Sequence, residues 1–220
     1  MVKVYIDPGH GGKDPGAVGN GLKEKDLTLK IAKKIEAMLA GYNGVEVRLS
    51  RNSDIDVSLK QRTDDANKWK ADLLVSVHIN AGGGAGYEDF IFDGVVGDFT
   101  IKAQKTLHDE IVKQIPQYKN RGKKRKNLHM CRESRMAAVL TETGFIDNAA
   151  DAMVLKSEAF LDRVALGHVN GIVKLFGLSK KNNDHLFRLK TGTFTNKAAA
   201  EKAAESLNKE FGWKVYVVDA

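Results

Sequence analysis

The stretch VKVYIDPGHGG at residues 2–12 decides the fold, because an apolar strand there stops in a glycine-rich turn that carries the imidazole of His10. The stretch LLVSVHIN at residues 73–80 repeats this arrangement with the imidazole of His78. Ligands in open α/β sheets gather at the carboxyl ends of strands. We therefore expect the two imidazoles to meet at one edge of a sheet.

Two carboxylates complete the pattern. A third apolar strand, AVLTETGF at residues 138–145, carries Glu142, and Glu24 opens the first helical pattern of the chain. Two histidines and a carboxylate form a catalytic zinc set, and a further carboxylate serves as a base. The sequence therefore predicts a metallohydrolase in which His10, Glu24 and His78 hold Zn²⁺. Glu142 would take a proton from water and pass it to the leaving nitrogen.

Strand-like and helix-like stretches alternate over residues 1–177, the predicted catalytic domain. This order predicts an α/β fold with a mixed, mostly parallel twisted sheet and helices on both faces. Apolar spacing predicts further strands at 45–49 and 87–92, and helices from Glu24 and at 59–70, 99–115 and about 150–176.

The C-terminal part of the chain reads as a separate small unit. Residues 178–184 are short and polar and form a predicted linker. A βαβ unit is predicted over 185–220, with strands at 185–194 and 213–218 around a helix capped by Asn196. A unit this short buries little apolar surface by itself. It therefore either packs against the first domain or is half of a larger module.

Composition narrows the choice of function. Cys131 is the only cysteine, which excludes an internal disulfide and a thiolate-rich zinc finger. No run approaches the ~18 consecutive apolar residues of a membrane span. The N-terminus reads as a strand rather than a secretory signal peptide, so we expect a protein made in the cytoplasm that reaches its target by another route.

The formal net charge of +7 favours an anionic partner. The densest basic run extends from Lys119 to Lys126. It is either a solvated loop or a surface that holds a polyanion, and nucleic acid and a phosphate-bearing bacterial wall both qualify. The sequence offers few aromatic residues on a basic strand to stack bases, so nucleic acid is not expected.

Histidines outside this set are expected to be ordinary surface groups. His108 and His168 lie within helical patterns, and His185 lies close to the linker. His129 is the exception, because it neighbours the Glu142 strand and is a candidate to face substrate.

Together, the separated motifs resemble a known family. The runs DPGHGG with Glu24, SVHIN at 76–80 and LTETGF at 140–145 resemble the zinc-dependent N-acetylmuramoyl-L-alanine amidases of the amidase-3 type, over about residues 2–176. The resemblance is strongest to the small amidases of spore-forming Gram-positive bacteria and to phage endolysins. Residues 185–220 resemble one repeat of a SPOR-type peptidoglycan-binding domain, a domain that normally has two.

The resemblance implies that His10, Glu24 and His78 bind zinc and that Glu142 is catalytic. It implies cleavage of the amide between the lactyl group of N-acetylmuramic acid and L-alanine. The implied partner is Gram-positive peptidoglycan, with anionic wall polymers as a further candidate, reached after mother-cell or phage lysis. Weaker candidates to contact this substrate are Asn80, His129 and Arg132.

Other functions are compatible with the same residues. The chain could be a wall-binding protein without activity, or a zinc peptidoglycan peptidase or deacetylase. A muramoyl amidase frees an alanine amino group without new reducing sugars, and this product separates the alternatives.

Overall fold

The computed structural model describes residues 1–181, 194–211 and 217. Contacts divide the chain into two units, Met1–Lys181 and Asn182–Ala220. The strands are β1 (Val2–Pro8), β2 (Val18–Gly19), β3 (Leu22–Lys23), β4 (Val45–Leu49), β5 (Leu73–Asn80), β6 (Tyr87–Ile91), β7 (Asn120–Arg125) and β8 (Ala137–Phe145). The helices are α1 (Glu24–Leu39), α2 (Leu59–Trp69), α3 (Asp98–Gln114), α4 (His129–Arg132), α5 (Ala149–Leu155), α6 (Glu158–Phe176) and α7 (Lys197–Phe211).

Six strands form one sheet in the order β4-β1-β5-β8-β6-β7. The first four are parallel, β6 runs antiparallel to β8, and β7 runs parallel to β6. This confirms the predicted mixed, mostly parallel α/β fold. Because β1, β5 and β8 are neighbours with a common direction, residues near their carboxyl ends lie side by side.

Alternation along the central strands builds a core on each face of the sheet. In β1, Val4 and Ile6 join the larger core with α1, α3 and α6, whereas Tyr5 joins a smaller core with α2 and α4. Successive strand residues point to opposite faces, so an unbroken apolar run indicates a strand buried on both sides. The helices therefore cover both faces, as predicted.

The basic run is a strand and not the loop that the sequence indicated. Residues 120–125 form β7, the edge strand beside β6. An edge strand needs neither an apolar run nor clean alternation, because one side of it faces solvent. The contacts with β6, which no local pattern reveals, determine its conformation.

Two histidines expected at the surface are buried instead. His108 is 5% exposed and its Nδ1 lies 2.6 Å from Oδ2 of Asp89. His168 is fully buried on α6, where its Nδ1 donates to the carbonyl of Val164 at 2.8 Å. Both rings find local partners, so burial does not make them metal ligands.

Part of the predicted linker belongs to the first unit. The N–H of Asn43 donates to the carbonyl of Ser179 at 2.9 Å, and the N–H of Lys181 donates to that of Gly41 at 2.8 Å. Each helix in the described part of the chain is too short or too polar to span a bilayer. The domain boundaries at 177 and 184 remain predictions.

In the second unit, the helix over 197–211 is present, and Oδ1 of Asn196 accepts from the N–H of Ala198 at 2.8 Å. This contact agrees with the predicted capping role of Asn196. Residues 185–193 and most of 213–218, where the two strands were predicted, lie outside the described residues.

Candidate metal centre

Three side chains from separate parts of the chain converge beside the carboxyl end of β1. His10 lies in the turn after β1, Glu24 opens α1, and His78 lies near the end of β5. One donor atom from each residue lies within 4.8 Å of the other two. These are the three predicted ligands, and two imidazoles with one carboxylate suit a divalent ion that keeps an open coordination position.

The carboxylate of Glu24 lies between the two rings. Its Oε2 is 3.2 Å from Nε2 of His10 and accepts from the N–H of Ala17 at 2.9 Å. Its Oε1 is 3.0 Å from Nδ1 of His78 and accepts from the N–H of Ile79 at 3.0 Å. Main-chain donors from two parts of the fold therefore fix this carboxylate in place.

The three groups are electrostatically coupled. Burial acts to lower the pKa of His10, but the hydrogen bonds and charges of Glu24 and Asp14 raise it to about 9. Burial acts to raise the pKa of Glu24, yet both imidazoles hold it well below its usual range. Burial also opposes the shift at His78, whose pKa is raised by neighbouring carboxylates. Protons on the rings and a metal ion therefore compete for the position beside an anionic Glu24.

Two buried arginines hold the turn that carries His10. Arg51 donates from Nη2 to the carbonyl of Gly9 at 2.9 Å, and Arg62 donates from Nη2 to the carbonyl of His10 at 2.7 Å. His10 has a φ of 62°, which non-glycine residues rarely adopt. The arginines stabilise this conformation by bonding carbonyls that have left the sheet.

A buried carboxylate balances the charge of Arg62. Arg62 Nη1 lies 2.7 Å from Oδ1 of Asp7, and the two side chains are 3% and 1% exposed. The hydroxyls of Ser50 and Ser76 donate to the two oxygens of Asp7 at 2.5 and 2.7 Å. Burial acts to raise the pKa of Asp7, but Arg62 and these hydroxyls lower it. This ion pair ties β1 and α2 to the turn of His10.

Asp14 is an outer partner of His10 that the sequence analysis missed. Its Oδ2 lies 2.7 Å from Nδ1 of His10. In the neutral ring Nδ1 is thus the donor, and Nε2 keeps its lone pair towards Glu24. A carboxylate behind a ligating imidazole fixes the tautomer and orientation of the ring. The available signal was an aspartate four residues after His10, a spacing with no specific meaning in a loop.

Glycines make room for the rings. A Cβ on Gly9 would lie 2.3 Å from Cε1 of His78. A Cβ on Gly16 would lie 2.6 Å from Cδ2 of His10 and 2.7 Å from Oε2 of Glu24. A side chain at position 9 or 16 would fill the space that the two imidazoles occupy.

Glu142 approaches the three ligand candidates from β8. It pairs with His78 in the parallel ladder of β5 and β8, so both side chains project from the same face of the sheet. Its Oε2 is buried without a hydrogen-bond partner among the described residues. Burial, together with the charges of Glu24 and Glu88, raises the pKa of Glu142 to about 7. A carboxyl group in this setting is suited to exchange a proton with a reactant.

Asn80 lies in the polar network around this carboxyl group. Its Nδ2 donates to Oε1 of Glu88 at 2.8 Å, and Glu88 pairs with Glu142 across β6 and β8. The predicted contact of Asn80 with substrate remains a prediction.

The other two candidates for substrate binding lie on α4. Nε2 of His129 is 3.3 Å from Oγ1 of Thr63, and Nε of Arg132 donates to Glu133 at 2.7 Å. Within the described part of the chain, neither side chain hydrogen-bonds to the ligand candidates or to Glu142. Their roles also remain predictions.

A mostly parallel sheet with two imidazoles and a carboxylate at one edge, and a second buried carboxyl group beside them, is the arrangement of a metal-dependent hydrolase. The chain belongs to the N-acetylmuramoyl-L-alanine amidase family, because the amidase-3 family model of that description matches residues 4–174. Members of this family act on bacterial peptidoglycan.

Relatives include a sporulation amidase and a phage endolysin, the two kinds of protein that the sequence motifs resemble. The sporulation-specific N-acetylmuramoyl-L-alanine amidase of Bacillus subtilis (strain 168) is 47% identical over 207 residues, covering 94% of this chain and 80% of the relative. The endolysin of Bacillus phage SPP1 is 48% identical over 183 residues, covering 81% and 68%. The solved catalytic domain of the amidase CwlV from Bacillus (Paenibacillus) polymyxa var. colistinus superposes with a TM-score of 0.77 at 34% identity, covering 81% of this chain and all (100%) of that domain.

Proposed function

We propose that this amidase is zinc-dependent and that Glu142 is its general base and acid. The observation that carries the proposal is the convergence of His10, Glu24 and His78 within 4.8 Å, beside a buried carboxyl oxygen of Glu142 that has no partner among the described residues. The bond cleaved is the amide between the lactyl group of N-acetylmuramic acid and L-alanine, which the family membership supports.

The donor set favours zinc over other common ions. Zn²⁺ accepts imidazole nitrogen and carboxylate oxygen together, whereas Ca²⁺ and Mg²⁺ prefer oxygen ligands alone. Cys131 does not compete as a ligand, because it is buried and burial raises the pKa of its thiol to about 12. His10, Glu24 and His78 would hold the ion.

When bound, zinc supplies a Lewis acid that polarises the scissile carbonyl and acidifies water. Glu142 takes a proton from the attacking water as the water oxygen adds to the carbonyl carbon. Glu142 then delivers this proton to the alanine nitrogen, because an amide nitrogen leaves poorly unless it is protonated. The carbon–nitrogen bond breaks, giving a lactyl carboxylate and a peptide with a free alanine amino group.

The biological setting is also part of the proposal. The likeness to a sporulation amidase and to a phage endolysin supports a Gram-positive wall as the substrate, reached after mother-cell or phage lysis. The unit over 185–220 would add wall contacts if it acts as a SPOR-like repeat.

Mass spectrometry of purified peptidoglycan after digestion tests the proposal. We expect new alanine amino termini without new reducing sugars, loss of activity with a chelator, and recovery on adding zinc. The His78→Ala variant should lose zinc and activity together. New reducing ends would refute the bond assignment, and a zinc-replete, active His78→Ala would remove His78 from the ligand set.

A further inference from the structure

We propose that Arg121 binds a carboxylate of the substrate's peptide, two to three residues beyond the scissile amide. The inference rests on the proposed amidase function and adds a recognition site to it. It follows from where Arg121 lies, how its guanidinium is held, and which of its donors remain unused.

A row of residues across the sheet leads from the metal centre to Arg121. His78 on β5 pairs with Glu142 on β8, and Glu142 pairs with Glu88 on β6. The next strand is β7, which carries Arg121. Neighbouring strands lie about 4.8 Å apart, so the backbone of Arg121 is two strands, or about 10 Å, from that of Glu142.

A bulge turns Arg121 towards this row. The register of β6 and β7 shifts between the pairs Tyr87–Asn120 and Asp89–Lys123, so one extra residue is accommodated there. Gly122 adopts a φ of 83° in the bulge, and its N–H donates to Oδ1 of Asn120 at 2.8 Å. Bulges of this kind redirect a side chain, and glycine is the residue that tolerates the conformation.

Two contacts fix the guanidinium of Arg121. Its Nε donates to Oε2 of Glu88 at 2.6 Å, and Glu88 is only 5% exposed. Its central carbon lies 4.8 Å from the ring centre of Phe145, which is itself buried. A buried carboxylate and an aromatic face therefore hold one planar group, which reduces the entropy lost when it binds a ligand.

The remaining donors of Arg121 point to an anion. Its Nη1 and Nη2 have no hydrogen-bond partner among the residues that the structure describes, and its side chain is 28% exposed. Lys124 also contacts Oε2 of Glu88, so two cations share one carboxylate and a net positive charge remains. A guanidinium with two free nitrogens binds a carboxylate through two parallel hydrogen bonds.

The distance between Glu142 and Arg121 indicates which carboxylate of the substrate Arg121 would bind. A peptide spans at most ~3.3–3.6 Å per residue, so about 10 Å corresponds to two or three residues.

Lysine or arginine on an edge strand often only prevents sheet-to-sheet association, and the exposed Lys123, Arg125 and Lys126 fit that role. Arg121 differs from them because a buried carboxylate and a buried aromatic ring hold its guanidinium beside the row of site residues.

The test uses one peptidoglycan preparation, stripped of phosphate polymers, before and after its carboxylates are converted to amides with carbodiimide and ammonia. Release of alanine amino groups is measured for the 220-residue wild-type chain, Arg121→Gln and Arg125→Gln. The wild type should cleave the amidated wall about 10-fold more slowly, which corresponds to about one lost charge-assisted contact. Arg121→Gln should cleave both walls at this lower rate, whereas Arg125→Gln, with the same lost charge on the same strand, should behave as the wild type.

Several outcomes would overturn the proposal. Arg121→Gln could be slower than the wild type by the same factor on the amidated wall as on the untreated wall, which would indicate a structural role. By contrast, we expect the two proteins to cleave the amidated wall equally fast. A parallel assay on wall that keeps its phosphate polymers could show a defect of Arg121→Gln that the stripped wall does not show, which would indicate phosphate as the ligand. Equal loss in Arg125→Gln would indicate general charge attraction. If the wild type releases no alanine amino groups from either wall, the amidase function itself fails, and this result is distinct from a failure of the Arg121 assignment.

Discussion

Asp14 lies behind His10, with its Oδ2 2.7 Å from Nδ1 of the ring. The opposite nitrogen of the same ring lies 3.2 Å from Oε2 of Glu24. One aspartate in a glycine-rich turn therefore leaves Nε2 of His10 as the nitrogen that would bind the proposed metal ion. This relationship makes the centre depend on a residue outside the ligand set.

Asp14→Ala should bind zinc roughly 10- to 100-fold more weakly than the wild type, because the ring of His10 loses its fixed tautomer and orientation. Competition with a chromophoric chelator measures the zinc affinity directly. Asp64→Ala is the matched control, since Asp64 is exposed and pairs with Lys60 away from the centre. Equal zinc affinity in the two variants would show that Asp14 does not position His10.

Glu142→Gln should retain zinc and lose activity by a factor on the order of 10²–10⁴, because the amide can neither take nor deliver a proton. Elemental analysis for zinc and the release of alanine amino groups are measured on the same sample. Glu158→Gln changes an exposed carboxylate that pairs with Lys30 and Lys34 away from the centre, and serves as the control. A zinc-free Glu142→Gln protein would mean that Glu142 is a ligand instead of the base.

Gly9→Ala should disturb the metal centre, because the added Cβ would lie 2.3 Å from Cε1 of His78. Overpacking typically costs about 1–3 kcal/mol. If the ring moves to relieve this strain, zinc affinity falls roughly 10- to 100-fold. Gly97→Ala is the control, since a Cβ there meets no atom within 4 Å. Unchanged zinc affinity in Gly9→Ala would show that the ring of His78 is not confined by Gly9.

The sequence predicted the strands and helices in which the apolar residues follow a regular pattern. Strands such as 73–80 are buried on both faces and read as continuous apolar runs, and the structure places β5 at Leu73–Asn80. The meeting of His10 and His78 was predictable because parallel strands bring their carboxyl ends to one edge. Glu24, which begins α1, was predicted from the donor set that completes a zinc site with two imidazoles. Strands that are buried on both faces must be apolar along their length, so the sequence alone reveals them.

Features that depend on distant polar contacts were not predictable. β7 is a strand because β6 lies beside it, although its own residues are mostly charged. Asp14 and the two arginines act through single hydrogen bonds to a loop, and such bonds leave no periodic signal. His168 was expected at the surface, because its imidazole alone does not reveal that Thr141 and Val164 provide partners inside the core.

Arg62→Met should destabilise the protein by about 3–5 kcal/mol, because it leaves the carboxylate of Asp7 buried without its partner. The free energy of unfolding in urea measures this loss. The double variant Asp7→Leu with Arg62→Met removes both charges and should recover a large part of the stability. A double variant no more stable than Arg62→Met would show that the lost contacts of Arg62 with carbonyls, and not the unpaired charge, dominate.

His168 should make stability depend on pH in mildly acidic solution. Burial lowers the pKa of its imidazole from 6.5 to about 4. Between these values the unfolded chain binds the proton that the folded protein excludes, so the stability due to a neutral His168 is complete above about pH 6.5 and is lost as the pH falls towards 4. A shift of this size corresponds to about 3 kcal/mol as an order of magnitude.

The test compares wild type with His168→Leu by urea unfolding at several pH values. Glu142 has a raised pKa and titrates in the opposite sense over an overlapping range, so the difference between the two proteins isolates His168. The stability of the wild type relative to His168→Leu should decrease by about 3 kcal/mol between pH 7 and pH 4. A difference that stays constant over this range would mean that the imidazole of His168 accepts its proton without unfolding, and that it is hydrated or paired in the folded protein.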